Sequence, residues 1–130
     1  MRISKVVVLE SDLFRRDLMT DLIVSNDHVC VAIEDADAFA EVAWGDSAEA
    51  VVVVDLDRED GQGVQALRAL RELPQESQPR IVGVARRSTR TSIADDAGLR
   101  CEEFVELPLD IGEFVRAVAR QSLEASIAAD

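Results

Sequence analysis

Runs of β-branched residues alternate with helical patterns along this chain. Val6, Val7, Val8 and Leu9 form the first run, whose unbroken apolar character predicts a strand covered on both faces. A helix is predicted from Asp12 to Val24, with Phe14, Leu18 and Leu22 on one side and Asp12 as its cap. His28–Ile33 reads as a short strand at an edge of the sheet. A second helix is expected from about Asp35 to Trp44, with Ala36, Phe39, Ala40 and Ala43 along one side. Val51–Val54 form the third strand, which ends on Asp55. The loop after it holds Gly61 and Gly63, expected to ease the turn into a third helix. That helix carries Val64, Leu67 and Leu70 and stops before Pro74. Ile81, Val82 and Val84 mark a fourth strand. A helix over 89–97 follows, with Gly98 as its C-cap. A fifth strand lies near Phe104 and Val105. Beyond Pro108 the last helix begins near Asp110, with Ile111, Phe114, Val115 and Val118 in i, i+3, i+4, i+7 register.

Five strand–helix units in this order predict an α/β protein: a (βα)5 doubly wound parallel sheet with helices on both faces. The 130 residues make one domain. Residues 1–124 are expected to form it, with 125–130 as the end of the last helix or the start of a linker. Leu73–Arg80, with its two prolines, is a loop inside the domain.

Composition narrows the function. There are 26 acidic against 14 basic residues, a net charge of -12, and 48% of residues are hydrophobic. That apolar share excludes a disordered acidic tail. The charge repels phosphate backbones and anionic lipid, so no nucleic acid and no membrane are expected as partners of this domain alone. No apolar run approaches the ~20 residues that span a bilayer, and early charges interrupt any secretory pattern. A cytoplasmic location is expected. Cys30 and Cys101 are expected as buried free thiols. His28 is the sole histidine and lies far from the acids, which removes Ser–His and Cys–His chemistry. Neither a dinucleotide fingerprint nor a P-loop occurs.

Ligands of doubly wound folds bind beyond the carboxyl ends of the strands. In the order 2-1-3-4-5, strands one and three are neighbours, and Glu10 and Asp55 face each other at their ends. Ser11, Asp12 and Asp57 lie close by in sequence. Ala85, Arg86 and Arg87 follow the fourth strand; Leu107 and Pro108 follow the fifth. Gathered carboxylates repel unless a cation, a proton or an arginine intervenes. A hard divalent ion would suit Glu10, Asp12, Asp55 and Asp57. Alternatively Arg58, Arg86 or Arg87 neutralises them and nothing binds.

Three stretches taken together, VVVLESDLFRRDL, VVVVDLDREDGQGVQALRAL and AGLRCEEFVELP, resemble the receiver domain of bacterial two-component response regulators. The likeness runs from about Lys5 to Leu123 and implies the flavodoxin-like receiver fold. In that family an aspartate ending the third strand accepts a phosphoryl group from a histidine kinase, and Asp55 holds that position. The acid pair that helps bind Mg2+ reads Glu10 and Ser11 here, and the third ligand would be the backbone carbonyl of Asp57. The hydroxyl residue ending the fourth strand is replaced by Ala85. The lysine before the proline is replaced by Leu107. The aromatic switch position is Phe104. Phosphoryl transfer depends on positioning and on cationic neutralisation of charge, so the pocket reads as degenerate, a pseudo-receiver. Mg2+ is then at most a weak ligand, and no other cofactor is expected.

The resemblance therefore implies a non-enzymatic, phosphorylation-independent signalling module that binds a protein partner or a second copy. The surface would be the fourth helix, fifth strand and last helix, which carry Arg90, Arg100, Glu102, Glu103, Glu106, Arg116 and Arg120. The first helix, with Arg15, Arg16 and Asp17 outward, is the alternative surface. A second possibility is a phosphoacceptor regulator using Asp55 in an altered Mg2+ pocket. A third is a small enzyme with Glu10 and Asp55 as a general acid/base pair.

Overall fold

Neighbouring residues of a strand point to opposite faces of its sheet. An unbroken valine run therefore needs a hydrophobic layer on each side. The computed structural model, which describes residues 5–34, 50–57 and 61–129, supplies both layers. Its strands are β1 (Lys5–Leu9), β2 (Val29–Ile33), β3 (Val51–Asp55), β4 (Arg80–Ala85) and β5 (Glu103–Glu106). They form one parallel sheet in the order β2-β1-β3-β4-β5. This is the doubly wound arrangement that the sequence pattern predicts.

Val6, Val8, Val51, Val53, Val82 and Val84 enter one core with Met19, Ile23, Phe114 and Val118. Val7, Leu9, Val52, Val54 and Ile81 enter the other with Leu67, Leu70 and Leu99. The described α-helices are α1 (Leu13–Ser25), α2 (Gln62–Arg71), α3 (Arg87–Ile93) and α4 (Ile111–Ala129). The predicted helix over 35–44 lies outside the described residues, as does Arg58.

Several local expectations change. In α1 the buried residues are Met19 and Ile23, while Phe14 is 80% exposed. The inward stripe is rotated from the predicted Phe14–Leu18–Leu22 line because Arg15 and Arg16 occupy its upper end, both part-buried. The helix over 87–93 stops sooner than the predicted 97. A short 3-10 turn, Ala97–Leu99, follows it, and the Asp96 side chain accepts a bond from the Gly98 N–H. Gly98 thus sits inside that turn and is not a C-cap. Both cysteines are half-buried rather than buried, and both are free.

The two glycines before and within α2 do different work. Gly61 has φ of +71°, the left-handed region that side chains resist. Gly63 lies against β3: a Cβ there would sit 1.9 Å from the Asp55 carbonyl oxygen. Only a hydrogen at that position lets α2 approach the strand end that carries Asp55.

Candidate functional site

Strand pairing sets the first two side chains. Leu9 pairs with Val54, so Glu10 and Asp55 emerge next to each other at the carboxyl edge. Their surroundings are fixed by ladder bonds that continue past the strands. The Glu10 N–H donates to the Ile33 carbonyl at 3.1 Å, and the Leu56 N–H to the Val84 carbonyl at 2.9 Å. Glu10 is fully buried and Asp55 nearly so. Glu10 Oε2 accepts from the Ser11 N–H at 3.1 Å, and Asp55 Oδ1 from the Asp57 N–H at 2.9 Å.

The residue that joins the two acids is Arg15. Its Nη1 lies 2.7 Å from Glu10 Oε1 and 3.3 Å from Asp55 Oδ2. This corrects one expectation, that Arg15 points outward: the cation against Glu10 and Asp55 is Arg15, while Arg86 pairs with Asp57 and Arg87 with Glu106. Side chains in a helix lean toward its N-terminus. A long side chain in the first turn of α1 therefore reaches back over the end of β1. Arg16 follows the same course, with Nη1 3.5 Å from the Glu10 carbonyl oxygen and 3.4 Å from the Glu34 carboxylate. Asp17 is exposed as expected.

The other two acids turn elsewhere. Asp12 caps α1, its Oδ1 accepting from the Arg15 N–H at 2.8 Å. The Asp57 carboxylate accepts from the Arg86 N–H and from the Thr89 hydroxyl, and lies 3.4 Å from Arg86 Nε. Arg87 and Arg90 pair with Glu106 at 3.5 and 3.6 Å, and the Arg90 guanidinium lies 5.1 Å from the centre of the Phe104 ring. Ala85 is buried, and Leu107 packs against the core.

Burial is the main force on Glu10, and it pushes the carboxyl up to about 8. The neighbouring Asp55 acts in the same direction by hydrogen bonding and by charge, while Arg15 opposes it. At neutral pH Glu10 is thus held in its protonated form beside the Arg15 guanidinium. Glu10 and Asp55 are reconciled within the chain itself.

That arrangement does not fit Mg2+. A hard cation needs several free oxygens at close range. Here the Arg15 guanidinium lies against both acids, the Ser11 N–H occupies the second Glu10 oxygen, and the Asp12 and Asp57 carboxylates are engaged elsewhere. Among the described residues no group of three or more acids, histidines or cysteines is assembled to hold a metal. Two depressions form away from the pair. One lies between α1 and α4 at His28 and Phe114, the other around Ile93, Cys101 and Phe104. Glu10 and Asp55 line neither.

Arg15→Met should remove the cation and keep the length. The Arg15 side chain is 29% exposed, which screens the interaction, so the expected loss is about 1–2 kcal/mol at neutral pH. The loss should be larger at pH ~9 than at pH ~6, because the Glu10 proton is then gone. Adding Glu10→Gln should recover part of it. Urea unfolding of the single and double variants checks this, and equal stability of Arg15→Met and the unaltered chain would refute it.

The fold recurs in solved proteins. A response regulator from Colwellia psychrerythraea superposes with a TM-score of 0.76 at 15% identity, over 95% of this chain and 99% of that one. A sensor protein from Polaromonas sp. JS666 does so at 0.76 and 22% identity, over 94% and 98%. The receiver domain of the TMAO respiratory system response regulator TorR reaches 0.78 at 19% identity, over 94% and 98%. No family model and no curated relative matches the chain. At these identities the likeness shows the architecture: the chain has the receiver fold of response regulators.

Proposed function

We propose that this chain is a receiver-like signal transduction module that works by protein–protein interaction and does not depend on phosphorylation. The observation that carries this is the Arg15 guanidinium lying against both Glu10 and Asp55. A phosphoryl group added to Asp55 would need a cation free to stabilise it, and the cation here is already committed to the acids. Ala85 offers no hydroxyl, and Leu107 offers no charge. The partner surface is the α3–β5–α4 face, where Arg87, Arg90, Glu106, Glu103 and Arg120 form exposed or half-exposed ion pairs. Mixed charge of this kind selects a partner by complementarity more than it adds affinity. A protein or a second copy would bind there, in the bacterial cytoplasm.

Exposure to acetyl phosphate or beryllofluoride with millimolar Mg2+ tests the proposal, read by backbone chemical shifts. The expected result is no Mg2+-dependent change around Asp55. A change that Asp55→Asn abolishes would overturn it and establish Asp55 as a phosphoacceptor beside an altered pocket.

A further inference from the structure

Acidic residues are spread along this chain, with one long gap. Residues 77–94 hold no Asp or Glu and four arginines: Arg80, Arg86, Arg87 and Arg90. Arg80 turns inward, its Nε donating to Gln121 Oε1 at 2.6 Å. The other three stand at the N-cap and in the first turns of α3, with side chains 67%, 84% and 50% exposed. The acids beside them do not cancel their charge. Asp57 lies 3.4 Å from Arg86, and Glu106 is shared between Arg87 at 3.5 Å and Arg90 at 3.6 Å. Three guanidiniums against two carboxylates leave a surplus of positive charge, on a chain whose net charge is -12. Exposed ion pairs at these distances are loose, and each guanidinium carries five donors. An outside carboxylate can therefore engage these arginines.

This basic ridge borders an apolar groove. The Arg90 guanidinium lies over the Phe104 ring. Phe104 lines, with Ile93, Leu99 and Cys101, a groove of about 300 Å³. Ile93, Cys101 and Phe104 are half-buried and pack against the core of Leu67, Leu70 and Leu99, so the floor of the groove is fixed. That volume is at the small end of ligand pockets and has room for one large side chain. An apolar anchor site beside exposed arginines is the arrangement that dominates protein interfaces.

We infer that the partner is an acidic segment of another protein, which seats one large apolar side chain in the groove at Phe104 and sets its carboxylates against Arg86, Arg87 and Arg90. This rests on the protein-binding function proposed above and adds the chemistry of the partner. Salt confines the field of exposed charges to ~10 Å at 0.1 M. A short segment then feels the ridge more than the distant acids. A second copy of this chain would bring a net charge of -12 with it and would be repelled as a whole.

Titration of the full chain with synthetic peptides, followed by backbone chemical shifts, tests the inference. The probe is a peptide with one tryptophan between two runs of glutamate. It should saturate and shift the amides of Arg87–Ile93, Cys101 and Phe104. Replacing its glutamates by serine or lysine, or its tryptophan by alanine, should each weaken binding about tenfold or more. Arg87→Gln/Arg90→Gln should weaken the glutamate peptide to the same degree. Ala97→Phe, which fills the groove from an exposed position on its rim, should also weaken it and provides a second variant should the first not fold. Equal or tighter binding of the serine or lysine peptide at the same amides would overturn the acidic partner and leave the protein-binding face standing. Shifts confined to α1 would overturn both. Self-association through these amides in the absence of peptide would make a second copy the occupant and overturn the inference. So would failure of every peptide to saturate, and the acetyl phosphate experiment then judges phosphorylation independence separately.

Discussion

Gly63→Ala is expected to cost about 3 kcal/mol of stability or more. The added methyl would lie 1.9 Å from the Asp55 carbonyl oxygen and 2.9 Å from its carbonyl carbon. These are backbone atoms at the end of a central strand, and they cannot swing aside as a flexible side chain would. Either α2 must lift from the sheet, which unpacks Leu67 and Leu70, or β3 must bend and carry Asp55 away from Arg15. Gly61→Ala is the informative control. That position has open space around it but a φ of +71°, so it should cost only about 1 kcal/mol, the strain of a left-handed residue. Guanidinium unfolding of both variants measures the contrast. Equal losses would mean that α2 does not depend on the close approach.

Stability is expected to fall by about 4 kcal/mol between pH ~5 and ~9 through Glu10 alone. In the unfolded chain this carboxyl ionises near its ordinary 4.5, and in the folded chain near 8. Between those values the folded form binds the extra proton. Stability is then greatest below about 4.5, declines as pH rises, and levels off above about 8. Glu10→Gln keeps the shape without the titration and should flatten this slope. His28 has the opposite sign. Burial holds it below its ordinary 6.5, so its contribution is lost as pH falls through that region. A Glu10→Gln chain whose stability declines toward high pH as steeply as the unaltered chain would show that Glu10 is not the source.

The sheet was legible because parallel strands buried on both faces announce themselves as continuous valine runs, and β3 is the clearest case. The facing of Glu10 and Asp55 followed from strand order, without any knowledge of side-chain packing. In α1 the hydrophobic pattern is only partly right: Leu22 packs against the core, but Phe14 is exposed and the fully buried residues are Met19 and Ile23. Its inward positions near the site are arginines, which a hydrophobic pattern assigns to solvent, yet a long aliphatic stem lets such residues pack inward. The clue available was proximity: Arg15 and Arg16 are the bases in the first turn of the helix that follows Glu10, while Arg58, Arg86 and Arg87 are closer to Asp55 in sequence. α3 was misplaced for a different reason. Its start is secured by Asp57, thirty residues earlier in the chain, and no local pattern encodes a cap supplied from elsewhere. The same long-range chemistry anchors the β4–β5 edge, where Arg71 and the Ile81 N–H converge on the Glu102 carboxylate.

The Arg15 guanidinium is a cation that belongs to the chain, and this changes what the Glu10–Asp55 pair responds to. A metal ion at such a place has a dissociation constant, so its occupancy follows the ion's concentration and yields to chelators. A covalently tethered charge has neither dependence. Its presence is settled when the chain folds, and dilution or scarcity of divalent ions leaves it in position.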